Sequence, residues 1–276
     1  MTELLSLTDV AKTYRAAKRR IVTAVDGVSL TLGAGEIVCL VGESGSGKTT
    51  IGRIVTGLTE PTSGELRYAG RAVGAMKRKE LRAHRLRVQM IHQDPYASLN
   101  PGMTVAQTLA APLMRHFGLS KREAHARVSP LLADVGLTPP ETFAPKYPHE
   151  LSGGQRQRVA IARSLTVDPS VLVADEAVSM LDVSLRVSVL QKLRGLCEER
   201  QLAVLFITHD LAVARQFGRG HSIAVMQRGL LVEHRPTGDL IAAPEHPYTH
   251  ALLRAARHEG LRALHQSSHA QVEENT

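Results

Sequence analysis

Ile37-Val38-Cys39-Leu40-Val41-Gly42-Glu43-Ser44-Gly45-Ser46-Gly47-Lys48-Thr49-Thr50 joins an unbroken apolar run to a glycine-rich loop and then to helix-compatible residues reaching Leu58. An apolar run of this length with no polar alternation reads as a strand covered on both faces. The loop matches G-x-x-x-x-G-K-[ST] between a strand and a helix, the context that gives this pattern its meaning. Its glycines let backbone N–H groups turn inward toward phosphate oxygens, and the helix N-terminus adds partial positive charge. Lys48 is placed to reach β- and γ-phosphates, and the Thr49 hydroxyl to ligate Mg²⁺. The candidate nucleotide-binding set is therefore Gly42, Ser44, Gly45, Ser46, Gly47, Lys48, Thr49 and Thr50.

Working outward, Val171-Leu172-Val173-Ala174 is a second apolar strand, ending in Asp175 and Glu176, and Ala203 to Ile207 is a third. A helix from Leu185 to Arg200 separates them, and strands alternating with helices point to a parallel sheet covered on both faces. Ligands of such sheets bind at the carboxyl ends of the strands, so the two acids fall beside the phosphate loop. Asp175 then suits the Mg²⁺ shell, and Glu176 suits orienting and deprotonating a water. Ahead of this core, Leu5, Leu7, Val10, Val25, Val28, Leu30 and Leu32 alternate as half-buried antiparallel strands do, with Gly33, Gly35, Gly64 and Gly70 read as turns. From Thr104 to about Val135 apolar residues recur at helical spacing. The polar, histidine-rich end from Arg257 reads as a mobile tail.

Composition narrows the classes. With 276 residues and 43% hydrophobic content the chain buries one substantial core without disulfide or metal staples. Cys39 and Cys197 lack partners at metal or redox spacing and read as buried or partly buried thiols of a reducing compartment. The first twenty residues lack the apolar centre of a secretory signal, so export is not expected. No stretch approaches the roughly 18 apolar residues of a membrane span. The charge of +8 is scattered rather than gathered in a stripe, and with no Trp, five Tyr and four Phe a base-stacking surface has little material, so no nucleic acid is expected.

Leu151-Ser152-Gly153-Gly154-Gln155, opening an arginine-rich segment with Arg156, Arg158 and Arg163, is physically a second phosphate-binding device at a helix start. Here the sequence resembles the ABC-transporter ATPase family, whose signature this is, from about Leu5 to Arg254. The resemblance implies an α/β P-loop NTPase (RecA-like) core with an N-terminal antiparallel β subdomain and an inserted α-helical signature subdomain. It implies an ATPase domain over 1–235, the helical insert at about 95–160 and a C-terminal extension over 236–276. It further implies that Ser152, Gly153, Gly154 and Gln155 close on ATP held by a second subunit paired head to tail. By the same resemblance Tyr14 stacks on adenine, Gln93 contacts the metal and the attacking water, His209 bonds the γ-phosphate, and Asp182 is the acid of the loop through which two ATP sites sense each other. The catalytic set is Glu176, His209 and Gln93; the metal set is Thr49, Gln93 and Asp175. Two positions depart from the family pattern: Ala177 replaces a usual proline and Met180 a usual small residue. The lost proline costs about 0.4–1 kcal/mol if the native geometry is kept.

Asp94-Pro95-Tyr96-Ala97-Ser98-Leu99-Asn100-Pro101 and His246-Pro247-Tyr248-Thr249 resemble the peptide and nickel importer branch. That branch implies two transmembrane permease subunits, a sister ATPase, an extracytoplasmic binding protein, and a peripheral position on the cytoplasmic face of the cell membrane. Its cargo is dipeptide, oligopeptide, nickel or a metal chelate. The competing reading is a subunit of a soluble complex such as the phosphonate-cleaving lyase system. The residues themselves supply no chemistry for His246 to Thr249, which read as a Pro-Tyr turn opening an amphipathic helix.

Overall fold

The run at 37–41 is the strand the sequence predicts, and its neighbours in the sheet come from far along the chain. The computed structural model describes residues 3–15, 21–94, 98–179 and 181–256. Its strands are β1 (Glu3–Arg15), β2 (Ile21–Gly33), β3 (Ile37–Val41), β4 (Ser63–Tyr68), β5 (Arg71–Ala72), β6 (Val88–Ile91), β7 (Val171–Asp175), β8 (Ala203–Thr208), β9 (Ser222–Gln227) and β10 (Leu230–Pro236). The helices are α1 (Lys48–Val55), α2 (Arg78–Arg87), α3 (Val105–Phe117), α4 (Lys121–Ala126), α5 (Val128–Asp134), α6 (Pro140–Phe143), α7 (Gly153–Leu165), α8 (Val183–Arg200), α9 (Leu211–Phe217), α10 (Thr237–Ala242) and α11 (247–256). Pro95, Tyr96, Ala97, Met180 and the tail from Arg257 lie outside the described residues.

The strands form an antiparallel sheet of order β2-β1-β4-β5 and a second sheet of order β10-β9-β3-β8-β7-β6. In the second, β9, β3, β8, β7 and β6 run parallel, and β10 pairs antiparallel with β9. Side chains of a strand alternate between faces, and here the alternation sorts them into two cores. Val38, Leu40, Val171, Val173, Leu205 and Ile207 pack with α1 and the antiparallel sheet. Cys39, Val41, Leu172, Ala174, Val204 and Phe206 pack with the helical side. Both faces being buried, the strands carry no polar alternation, and each large aliphatic side chain contributes about 1.5–3 kcal/mol by leaving water.

The apolar positions read in the N-terminal strands, Leu5, Leu7, Val10, Val25, Val28, Leu30 and Leu32, are all buried, but their alternation is broken by a register shift between Leu7 and Val10, and Ser6 is buried as well. Gly35 and Gly70 stand in turns as read. Gly64 does not; it lies within β4, where a Cβ would fall 2.2 Å from the Asp9 carbonyl of β1. Gly33 likewise is the last residue of β2, in register with Glu3. The segment between β6 and β7 is helical throughout its regular elements. Capping boxes at Thr104/Gln107 and Ser120/Glu123 open α3 and α4, satisfying helix N–H groups that would otherwise lack partners. No helix among the described residues is long and apolar enough to cross a membrane.

Candidate functional site

The register of the parallel sheet assembles the site. Val41 pairs with Thr208, Asp175 with Ile207, and Ile91 with Ala174. Residues just beyond these pairs, at 42, 92–93, 176 and 209, therefore emerge side by side at one sheet edge. That edge is the carboxyl end, where open α/β sheets hold ligands.

The phosphate loop packs too tightly for side chains at two points. A Cβ at Gly42 would lie 2.1 Å from the Met226 carbonyl, and one at Gly47 2.1 Å from the Ala24 carbonyl. Both glycines adopt positive φ, 154° and 103°. The loop is also tied to the β9–β10 turn, where Gly229 N–H donates to Ser46 O at 3.0 Å. Lys48 Nζ donates to Gly42 O at 2.8 Å, Glu43 O at 2.7 Å and Ser46 Oγ at 3.3 Å. Burial pushes its pKa down, while the carboxylates of Glu176, Asp175 and Glu43 act against that.

Thr49 Oγ1 donates to Asp175 Oδ1 at 3.2 Å. Burial raises the Asp175 pKa, the Thr49 bond lowers it, and the neighbouring Glu176 charge raises it again. A desolvated carboxylate beside a hydroxyl is a hard oxygen pair, the donor chemistry that suits Mg²⁺, which binds through one or two carboxylates plus substrate phosphates. The donors at this position thus fit that ion.

Glu176 takes φ of +49°, uncommon for a side chain of its size, and its N–H donates to Ile207 O at 2.9 Å. Its carboxylate is held from both sides. Gln93 Nε2 donates to Oε2 at 3.0 Å, and His209 Nδ1 meets Oε1 at 3.1 Å. An ionised carboxylate only accepts, so Nδ1 of His209 carries the proton. Beside this trio, Gly42, Glu43, Ser44, Glu176, His209 and Leu252 of α11 bound an open cleft of about 430 Å³.

The remaining predicted residues are placed elsewhere. Ser152 caps α7, its Oγ accepting from Gln155 N–H at 3.3 Å while its N–H donates to Gln155 Oε1 at 3.0 Å. None of Ser152, Gly153, Gly154 or Gln155 lines the cleft beside the loop. The arginines of α7 are bracing groups: Arg158 reaches Gly136 O and Ser188 Oγ, and Arg156 reaches the carbonyls of Pro148 and His149. Asp182 caps α8 by accepting from Leu185 N–H and Ser184 Oγ, which hold its carboxyl below the usual range. Tyr14 lies on β1 opposite Val22, partly exposed, with the Lys12 ammonium 5.4 Å from its ring centre. One residue the sequence did not single out is Arg186. It bonds Asp210 Oδ2 and Leu181 O, each at 3.2 Å, strapping the 179–182 loop to the segment carrying His209. Nothing local in sequence marks it.

Residues 25–179 match the ABC transporter family model. A probable peptide ABC transporter ATP-binding protein of Sinorhizobium fredii is 47% identical over 236 residues, 86% of this chain and 66% of that protein. A putative oligopeptide transport ATP-binding protein of Bacillus subtilis is 44% identical over 251 residues, 91% of this chain and 75% of that protein. The chain thus spans about two thirds to three quarters of these relatives. Among solved structures, a dimeric ATP-binding cassette in a post-hydrolysis state with ADP and phosphate superimposes with a TM-score of 0.76 at 32% identity, covering 85% of this chain and 99% of that one. A Clostridium perfringens component of an ABC transporter complex gives a TM-score of 0.77 at 24% identity over 88% and 92% of the two chains, a likeness of fold.

Proposed function

The chain belongs to the ABC transporter family as an ATP-binding, ATP-hydrolysing cassette, and from that premise we propose that it energises an importer of dipeptides or oligopeptides. The observation that carries the catalytic part is the Glu176 carboxylate pinned between Gln93 and His209 at the mouth of the phosphate loop. Lys48 and the backbone N–H groups of 44–50 hold the β- and γ-phosphates, and Tyr14 offers its exposed ring to the adenine. Thr49, Asp175 and Gln93 would hold Mg²⁺, which when bound neutralises phosphate charge. Glu176 accepts a proton from a water aligned on the γ-phosphorus, while Gln93 and His209 fix the direction of its oxygens. Lys48 stabilises the negative charge that builds on the departing phosphate oxygens.

Ser152, Gly153, Gly154 and Gln155 act, on this reading, on ATP bound by a sister ATPase in a head-to-tail pair, with Asp182 at the shared interface. The exposed, capped start of α7 supports it. Two membrane permeases would receive the resulting motion through the segment after Gln93. A cleft of about 280 Å³ bounded in part by Leu58, His92, Ser98, Pro112 and Arg163 adjoins that segment. The protein would then sit peripherally on the cytoplasmic face of the membrane, with an extracytoplasmic binding protein delivering cargo. Peptide is preferred because the relatives named above are peptide and oligopeptide systems; nickel or a metal chelate rests on sequence resemblance alone. The test is affinity purification from gently solubilised membranes with mass spectrometry of what accompanies the chain. Two multi-span permeases and a second ATPase are expected; recovery of soluble enzymes in their place would overturn the transport reading and leave the hydrolysis chemistry standing.

A further inference from the structure

His246-Pro247-Tyr248-Thr249 takes no part in the chemistry above, yet it is built into the phosphate loop. The backbone N–H of Glu43 donates to the Tyr248 hydroxyl at 3.0 Å, across 205 positions of sequence. The carbonyl of the same peptide unit, Gly42 O, accepts from Lys48 Nζ at 2.8 Å. In a trans peptide the N–H and C=O point in opposite directions, so whatever fixes one end aims the other. Tyr248 is thereby set against Lys48 through a single rigid plane.

The seat of Tyr248 is itself anchored. Glu233 of β10, 8% exposed, accepts the N–H groups of Glu245 at 3.0 Å and His246 at 3.1 Å, fixing the entry into α11. Burial alone would raise the Glu233 pKa, but those two N–H groups and the Arg235 charge act against it, and the carboxyl is held below its usual range. Thr249 is fully buried, Tyr248 is 9% exposed, and Leu252, one turn on, lines the cleft that holds Glu176 and His209. One turn of α11 thus bonds the backbone of the phosphate loop, and the next lines the cleft beside it.

We propose that Tyr248 is a positioning residue of the ATP site: its hydroxyl orients the Gly42–Glu43 peptide and, through it, the Lys48 ammonium, so that the C-terminal extension sets how firmly the loop holds phosphate. The proposal rests on residues 42–50 being the ATP site, as argued above. The test uses the full chain and titrates a fluorescent ATP analogue with Mg²⁺ against the parent, Tyr248→Phe, Lys48→Ala and the double variant, with the thermal midpoint of each measured without nucleotide. Turnover in the assembled transporter gives KM and kcat. Loss of one neutral hydrogen bond corresponds to about a 2- to 12-fold rise in Kd and KM for Tyr248→Phe. Saturated kcat should stay within about twofold, because Tyr248 touches no reacting atom. The midpoint should fall by no more than a few degrees, as loss of one hydrogen bond requires, and Tyr248→Phe should add nothing to Kd once Lys48 is gone. Unchanged affinity in Tyr248→Phe, a full added effect in the Lys48→Ala background, or a rise in Kd accompanied by loss of fold would each overturn the positioning role. Unchanged affinity in Lys48→Ala would instead overturn the reading of the loop as the ATP site.

Discussion

Replacing Glu176 by glutamine separates the chemistry of the site from its architecture. The carboxylate accepts from Gln93 Nε2 at 3.0 Å and from His209 Nδ1 at 3.1 Å. Glutamine keeps the shape and one acceptor oxygen, so one of these bonds survives and the other becomes donor against donor. The loss is about 0.5–1.5 kcal/mol at most. It is relieved by water, since the side chain is 20% exposed, and by rotation of the Gln93 amide. ATP affinity should therefore change by no more than about threefold, roughly 0.7 kcal/mol. The catalytic term is larger. A positioned base contributes about 10²–10⁴-fold, or roughly 2.7–5.4 kcal/mol of barrier. Single-turnover phosphate release in the assembled complex, beside a separate binding titration, reads the two effects independently. Normal binding with release slowed at least about 100-fold is expected. Release within about tenfold of the parent, a barrier change under roughly 1.4 kcal/mol, would refute the assignment of Glu176 as base.

Asp175→Asn should stabilise the nucleotide-free chain at neutral pH and abolish hydrolysis. Burial raises the Asp175 pKa above its ordinary 3.8, so between those values the folded state binds more protons than the unfolded. Stability then falls as pH rises through that window, and the ionised acid is a net cost above it. Asparagine removes the cost, so the gain in thermal midpoint should be present at pH 7 and vanish below about pH 4; a lower midpoint at pH 7 counts against this account. The thiols give a second check. Cys39 and Cys197 are buried, burial pushing the first far above the thiol range and the second up to about 12. An aromatic disulfide reagent at pH 8 should label neither within minutes in the native chain and both after denaturation. Rapid labelling of the folded protein would mean that the core around β3 or α8 opens locally.

How much of this was legible in sequence depended on whether the signal was local. The phosphate loop, its strand and the two acids at the end of β7 were readable because strand, turn and helix each impose their own pattern over a few residues. The helical stretch from Thr104 to Val135 was readable from spacing, with caps at Thr104 and Ser120. Strands β9 and β10 were not singled out, although a signal exists. Arg228 and Gly229 both have positive φ, and Gln227 pairs with Leu230, giving a two-residue hairpin turn between apolar runs. Gly64 looked like a turn because glycine marks both turns and close backbone approaches, and only the neighbour Asp9 decides between them. The Arg186–Asp210 and Tyr248–Glu43 bonds were beyond reach: they span 24 and 205 residues, and no local pattern encodes a tertiary hydrogen bond. The adenine role of Tyr14 stands on resemblance, its strand position being equally that of an ordinary surface tyrosine.

The strand that carries the phosphate loop lies between two partners made much later in synthesis. β3 is flanked by β8 and β9, Ile37 pairing with Val204 and Val38 with Ser222. On a ribosome the loop precedes its flanking strands, which at about 5–20 residues per second follow on the order of ten to thirty seconds later. In that interval an apolar strand has unpaired edges, the condition that invites misassociation. Completion of the site therefore waits on Met226, Gly229 and Tyr248, which are added well after the loop they close on.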